Sequence, residues 1–295
     1  MEAEQDRVVD IQEEVSEWPI LKVARARQLT SELNASMSLW RHTLGSESRA
    51  VLSQDRRDVV FYARIAHEPP LYEWSLLFGD IIHNYRTALD GLAWGLAHLD
   101  GNAPAQAVAK RVAFPFATTR DEWQRIMRTT LASVPLFMLY RLDCVQPYHG
   151  ENAVEGIGVL LHALDIIDKH KASIATALIA ADKTSFGTKF RPVDPDADLS
   201  DSSSLGEFEW VAPESGLRDG DEVARIKGSV PLQDVSIDTL PLSFTVELNG
   251  KQEDAHKLLD LIDRQVCATF LVVEHGPDSQ EWITWIRSVK EMQGE

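Results

Sequence analysis

Segments with helical periodicity and segments with strand-like composition occupy different parts of this 295-residue chain. Apolar residues recur at spacings of three and four along four long stretches, 16–44, 71–99, 152–170 and 252–274. Most β-branched runs and turn signals instead lie within 172–250. This separation predicts an α+β fold in which a helical bundle packs on an antiparallel β-sheet.

The strand candidates are short and bounded by turn residues. The first covers 58–67, where β-branched and aromatic residues dominate. The others share the same character and cover 174–180, 207–212, 221–228 and 241–248. A loop rich in Asp, Ser and Pro is predicted over 191–206.

The order of these segments predicts one domain. The first strand and the last long helix bracket the remaining elements, so we expect a single α+β domain over 16–295. Its helical part would comprise 16–170 and 252–291, and its mostly β part 172–250. Residues 1–15 are acidic and polar and are predicted to form a frayed leader.

Composition limits the partners that this chain can have. Its 46 acidic and 29 basic residues give a net charge of −17, which disfavours nucleic acid and anionic membrane surfaces. We find no basic leader with an apolar core and no long apolar run, so we expect a soluble, cytoplasmic protein without a membrane partner. Cys144 and Cys267 lie in apolar contexts and are predicted to be buried free thiols.

Most of the polar residues that could form a functional site lie on the helix predicted over 71–99. On a helical wheel, His83, Arg86 and Asp90 lie together on the side opposite the apolar residues. One interpretation is a solvated face on which Arg86 and Asp90 form an i,i+4 ion pair. The other is a shared site in which His83 acts as a base or ligand and Asp90 orients it.

A second polar cluster ends the helix predicted over 152–170. Asp165 and Lys169 have the spacing of an ordinary helix-surface ion pair, and basic residues suit a helix C-terminus. Alternatively, Asp168 and His170 converge with the first cluster across the bundle. Neither Glu-x-x-His nor His-Glu-x-x-His is present, so the sequence predicts no metal site and identifies no cofactor.

Four separated motifs occur in order along the chain: Gly79-Asp80-Ile81-Ile82-His83-Asn84-Tyr85-Arg86-Thr87-Ala88-Leu89-Asp90-Gly91-Leu92-Ala93, Phe114-Pro115-Phe116, Gln146-Pro147-Tyr148 and Ile167-Asp168-Lys169-His170-Lys171. With these motifs, residues 20–180 resemble a family of bacterial and phage-associated proteins that has no established activity. The resemblance implies that seven of the polar residues form one linked set: His83, Asn84, Arg86, Asp90, Asp168, Lys169 and His170.

These observations leave alternative functions open. The absence of a recognised catalytic motif favours a non-catalytic binding or structural module with a buried polar network. The alternative is a hydrolase or nuclease-like enzyme that uses the His/Asp/Arg cluster, with or without a metal. Homodimerisation through the helices predicted over 16–44 or 252–274 is compatible with either.

Overall fold

The computed structural model of the protein describes residues 7–170, 176–180, 188–197, 206–213, 216–237, 242–248 and 250–293. Helices make up about 53% of the chain and strands 19%, and antiparallel sheets pack against helices. The predicted α+β class is therefore confirmed. Among the described residues, no helix combines the length and the apolar character that a membrane span requires.

The long helices lie where the apolar periodicity predicts them. The α-helices of the described residues are α1 (Glu17–Leu39), α2 (Leu71–Leu96), α3 (Gln106–Ala109), α4 (Arg120–Arg128), α5 (Leu136–Cys144), α6 (Ile157–His170), α7 (Ala255–His275) and α8 (Gln280–Gln293). A π-helical segment, Trp40–Gly45, follows α1. Thr119 caps α4 by accepting a hydrogen bond from the Glu122 backbone N–H.

Residues 7–15 do not form the frayed leader that was predicted. Val9 and Ile11 are buried, and the Val9 amide donates to the carbonyl of Glu274. Ile11–Val15 forms a short π-helix whose first turn is capped by the Asp10 side chain. The two apolar residues provide enough buried surface to fix an otherwise acidic segment.

The strands form several small antiparallel sheets instead of the single sheet predicted. They are β1 (Ser46–Leu52), β2 (Asp58–Ile65), β3 (Thr176–Ala180), β4 (Thr188–Pro192), β5 (Glu207–Trp210), β6 (Glu222–Lys227), β7 (Leu232–Ile237), β8 (Leu242–Leu248) and β9 (Lys251–Asp254). In the described residues their orders are β1-β2-β6-β5, β3-β8-β9 and β4-β7.

The sequence did not predict β1, β4, β7 and β9, because polar residues interrupt each of them and none has a run of β-branched and aromatic residues like that of 58–67. β9 also corrects the helix start predicted at 252. Gly250 has a positive φ of 77° in the turn from β8 to β9, which glycine adopts without strain. The side chain of Asp254 then accepts a hydrogen bond from Lys257 N at 2.8 Å, and α7 begins only after this cap.

The chain contacts divide into two compact units. The helical unit comprises Met1–Ser31, Leu76–Ser173 and Leu259–Glu295. The sheet unit comprises Glu32–Ser75 and Ile174–Leu258, and it contains all the described strands. Three of the four boundaries fall inside α1, α2 and α7, and the fourth lies between residues 173 and 174. The prediction of a single domain over 16–295 is not tested by this division and stays a prediction.

Each unit has an apolar interior. In the helical unit, the apolar side predicted for α2 is fully buried and includes Phe78, Ile81, Ile82, Tyr85, Leu89, Leu92, Ala93 and Leu96. In the sheet unit, the ring of Trp74 packs edge-on against Trp40 and Phe244. A second cluster there contains Val59, Phe61, Ala224, Ile226 and Leu232.

The two cysteines are free thiols, as predicted, but the expected burial is wrong for Cys144, which is exposed. Cys267 is partly buried. Cys144 is the last residue of α5, where the apolar neighbours in sequence, Leu142 and Val145, point in other directions around the helix.

Candidate functional site

The two polar clusters predicted from the sequence meet where α2 lies beside α6 in the helical unit. His83 Nδ1 lies 3.2 Å from Asp165 Oδ1. The other oxygen of Asp165 accepts a hydrogen bond of 2.7 Å from Lys169 Nζ. Asp165 is only 3% exposed, whereas the side chains of His83 and Lys169 are 43% and 41% exposed. A buried carboxylate thus joins an imidazole and an ammonium group at the solvent-facing edge of the two helices.

Asp168 reaches α2 one turn before His83. Its carboxylate lies against Gly79, where any side-chain carbon would collide with it. Burial raises the pKa of Asp168 above its ordinary value, and the nearby carboxylates of Asp80 and Asp165 raise it further. His83 and Lys169 oppose this shift. Ionised Asp168 is therefore less favourable in the folded protein than in the unfolded chain.

This shift predicts that Asp168→Asn becomes stabilising as the pH rises. Below the ordinary pKa of 3.8 the side chain is protonated in both states, so variant and wild type should have equal stability. Above it, the folded wild type loses stability as pH rises through the raised pKa, whereas the amide does not ionise. We expect the variant to gain up to about 1 kcal/mol at pH 7, the scale of a partly exposed charge interaction.

Urea unfolding at pH 3.5 and pH 7 measures this difference. Asp121→Asn, which changes an exposed carboxylate on α4, is the control and should show no such gain. A difference between Asp168→Asn and wild type that is the same at both pH values would contradict the assignment.

Arg86 and Asp90 hold the main chain of Phe114 from both sides. Arg86 Nη2 lies 2.7 Å from Asp90 Oδ1, which is the predicted i,i+4 ion pair. The same nitrogen donates to the carbonyl of Phe114 at 3.0 Å, and the amide of Phe114 donates to Asp90 Oδ1 at 2.9 Å. The pair thus satisfies both backbone groups of one residue, as a neighbouring strand would.

The guanidinium of Arg86 is enclosed, so the interpretation of a solvated polar face is wrong at this position. Arg86 is 5% exposed, and its guanidinium carbon lies 4.9 Å from the centre of the Phe116 ring. Burial lowers the pKa of Arg86, an effect opposed by Asp90 and Asp165. Nη1 has no hydrogen-bond partner in the described part of the chain, and the two carboxylates favour the charged guanidinium without outweighing its burial.

The far end of this segment is also held by a side chain. The amide of Ala117 donates to Gln146 Oε1 at 3.0 Å, and the carbonyl of Ala117 accepts from the amide of Tyr148 at 3.1 Å. Gln146 is buried, and its own Nε2 donates to the carbonyl of Leu142. The Phe114–Ala117 segment therefore has no regular secondary structure but has its end groups fully bonded.

The remaining predicted residues have different positions. Asn84 is buried, but it accepts a hydrogen bond from Lys22 Nζ at 3.2 Å and donates to the carbonyl of Asp80 at 2.7 Å. Its contacts therefore lie toward α1 and not toward α6. His170 is the last residue of α6, and its side chain lies outside the described residues. Lys171 also lies outside them.

Residues that were not among the predicted set also form the site. Asp165, interpreted as part of a surface pair, is the buried centre of the cluster. It lies on the stripe of Leu161, Leu164 and Asp168, whose helical spacing could have revealed its burial. Thr87 Oγ1 lies 3.4 Å from His83 Nε2.

The Phe116 ring also contacts α6, the helix that carries Asp165. The ring lies 6.2 Å from that of His162, and it leaves no space for a side chain at Gly158. Burial and the charge of Arg86 lower the pKa of His162. No sequence pattern linked Phe116 to Gly158 or His162, because α4 and α5 lie between them along the chain.

The arrangement around His83 can hold a proton in a defined place. When the imidazole is neutral, donation from Nδ1 to Asp165 leaves Nε2 as an acceptor facing Thr87. The cluster is not arranged as a metal site: in the part of the chain that the structure describes, no group of three or more His, Cys, Asp or Glu side chains is placed to hold an ion.

Comparisons with protein-family models, with curated proteins and with solved structures find no match to this chain. The resemblance inferred from the four motifs therefore stays a prediction. The geometry nevertheless relates the motifs to one another, because Arg86, Asp90, Phe114, Gln146 and Asp165 belong to contacts within one unit.

Proposed function

We propose that this chain is a non-catalytic binding module whose buried polar network acts as a scaffold. The observation that carries the proposal is the bonding of Arg86 and Asp90 to both main-chain groups of Phe114. These side chains hold a backbone segment, and the remaining terminal nitrogen of Arg86, Nη1, is buried and so out of reach of a substrate. A buried polar network is well suited to fixing one conformation, and in this one Arg86 Nη1 is left without a partner among the described residues.

The second cluster supports the same proposal. Each carboxylate oxygen of Asp165 already has a cationic or potentially cationic neighbour, His83 or Lys169. Such an arrangement joins two helices through a buried charge, which is costly to leave unpaired. The bonded Phe114–Ala117 segment leads directly into α4, so the network also fixes the position of a helix that lines an open cavity.

One arrangement favours a second candidate function, a hydrolase. Thr87 Oγ1, His83 and buried Asp165 follow one another in the order of a nucleophile, a base and an orienting carboxylate. The separation of 3.4 Å between Thr87 and His83 is long for an activated hydroxyl. This makes the hydrolase the weaker of the two proposals.

Hydrolysis assays separate the two functions. We expect wild type, His83→Asn and Thr87→Val to hydrolyse p-nitrophenyl acetate and bis(p-nitrophenyl) phosphate at the same rate within error. Because any exposed imidazole reacts slowly with the acetate, His98→Asn is the matched control. A loss of at least tenfold in both His83→Asn and Thr87→Val, but not in His98→Asn, would establish the hydrolase and reject the scaffold proposal.

The environment and partners belong to the same proposal. The two free cysteines support a reducing compartment such as the cytoplasm. The net charge of −17 argues against a nucleic-acid partner. For a homodimer, α1 is the better-supported contact because Trp18 and Leu21 are exposed there, whereas Ile262 and Val266 of α7 are buried.

A further inference from the structure

A cavity of about 350 Å³ lies between α4 and α5 in the helical unit. Its size falls within the range of about 300–1,000 Å³ that is typical of small-molecule sites. Trp123 and Met127 of α4 line one side, and Phe137 and Tyr140 of α5 line the other. The walls therefore offer flat aromatic surface to a ligand of similar shape.

The walls are held in place by contacts outside the cavity. Trp123 and Phe137 are buried, and the N-terminus of α4 is fixed by the bond from the amide of Thr118 to Glu122 at 2.9 Å. At the mouth, by contrast, Leu136 is 72% exposed. A preformed floor with an exposed apolar rim is the geometry of a site that a ligand covers.

Two side chains of opposite charge, Asp143 and Arg120, line this cavity. Asp143 accepts a hydrogen bond from the hydroxyl of Tyr148 through Oδ1, and His149 Nε2 lies 3.6 Å from the same oxygen. Burial, together with the bond to Asp143, raises the pKa of Tyr148 to about 12, so its hydroxyl stays a donor. Oδ2 of Asp143 has no hydrogen-bond partner within the described ranges, and neither does the guanidinium of Arg120.

From this geometry we propose that the cavity binds a small aromatic zwitterion, the chemical class of the aromatic amino acids. The ring lies on the floor formed by Trp123 and Phe137 and against the exposed ring of Tyr140, the ammonium group meets Asp143 Oδ2, and the carboxylate meets Arg120. A purely apolar ligand would cover Asp143 Oδ2 without giving that oxygen a donor, which costs free energy. The inference rests on the proposed binding function and adds a ligand class to it.

Calorimetric titration of the full chain with four indole probes tests each part of this assignment. L-tryptophan carries both charges, tryptamine only the ammonium, indole-3-propionate only the carboxylate, and indole neither. We expect L-tryptophan to bind at least tenfold more tightly than indole, with the two singly charged probes between them. Asp143→Asn should bind L-tryptophan no more tightly than the wild type binds indole-3-propionate. Arg120→Gln should bind L-tryptophan no more tightly than the wild type binds tryptamine.

Two exposed residues of α4, the helix of Arg120, provide matched control variants. Asp121→Asn and Arg128→Gln change exposed charges on α4 that do not line the cavity, and both should bind like wild type. Arg120 is exposed, so Arg120→Gln keeps the test informative even if Asp143→Asn disturbs folding.

Absence of binding by millimolar L-tryptophan, L-tyrosine and L-phenylalanine would overturn the proposal. Equal affinity for L-tryptophan and indole would do the same, as would unchanged binding in both cavity variants. None of these results affects the hydrolysis assays, because His83 and Thr87 do not line this cavity. Failure of the ligand class and failure of the proposed function are therefore distinguishable.

Discussion

Arg141→Met should lower the free energy of unfolding by about 3–5 kcal/mol, the largest effect that we expect from a single substitution. Arg141 is 1% exposed, and its Nη1 donates to the carbonyls of Val273 at 2.7 Å and Glu274 at 3.0 Å. Its Nη2 donates to the carbonyl of Arg7. Methionine fills similar volume but removes the guanidinium donor from the carbonyls of Val273 and Arg7, and it leaves the carbonyl of Glu274 with only the Val9 amide.

The position of these acceptors explains the size of the effect. Val273 and Glu274 belong to the last turn of α7, where carbonyl groups have no partner within the helix and carry partial negative charge. Arg141 satisfies them and at the same time ties down the segment beginning at Arg7. Loss of the guanidinium therefore weakens the end of α7 and the attachment of the N-terminal segment together, while Val9 and Ile11 stay buried and the Val9 amide still donates to Glu274.

Chemical denaturation measures the free energy of unfolding of Arg141→Met and of two further variants. Arg141→Lys keeps the charge but has one nitrogen in place of two terminal ones, and should recover only part of the stability. Arg125→Met removes an exposed arginine from α4 and should change stability by less than about 0.5 kcal/mol. A loss below about 1 kcal/mol in Arg141→Met would show that solvent replaces the guanidinium at α7.

Arg86→Met should produce the second-largest loss, about 3 kcal/mol, because it leaves Asp90 without its cation and the carbonyl of Phe114 without a donor. Asp90→Asn keeps an oxygen for the amide of Phe114 and should cost about 1–2 kcal/mol. In the double variant neither unpaired charge remains. Its loss should therefore be smaller than the sum of the single losses by about 1–2 kcal/mol.

A second ion pair of the chain is a natural control for this cycle. Arg264 Nη2 lies 2.7 Å from Asp260 Oδ2, also at an i,i+4 spacing, but the side chains are 27% and 51% exposed. The cycle of Arg264→Met and Asp260→Asn should give a coupling of no more than about 0.5 kcal/mol. Equal couplings in the two cycles would mean that the bonds to Phe114 add nothing to the Arg86–Asp90 pair.

Sequence periodicity predicted the helices and the buried side of α2, because both depend on contacts repeated within one segment. The spacing of Arg86 and Asp90 likewise predicted their ion pair. It could not predict the burial of Arg86, since the partner is the main chain of Phe114, 28 residues away. Every residue has a backbone carbonyl, so the sequence does not show which residue will accept a hydrogen bond from a buried arginine.

The errors have similar physical causes. β9 reads as Lys251-Gln252-Glu253-Asp254, a polar run that suits a helix surface as well as an edge strand, and only its pairing with β8 decides between them. Asp165 looked like half of a surface pair because its spacing to Lys169 is local, whereas its burial depends on the approach of α2. Tertiary contacts decided both cases.

The bonding of the Phe114–Ala117 segment has a consequence for how the protein folds. No part of its end bonding comes from near neighbours: the partners of Phe114 lie 24 and 28 residues earlier, and the side chain that binds the Ala117 amide lies 29 residues later. Contacts of this range carry the entropic cost of closing a long loop before they stabilise the chain. We therefore expect the segment to reach its native conformation late, once α2 and the end of α5 are in place, so that substitutions in it change the unfolding rate more than the folding rate.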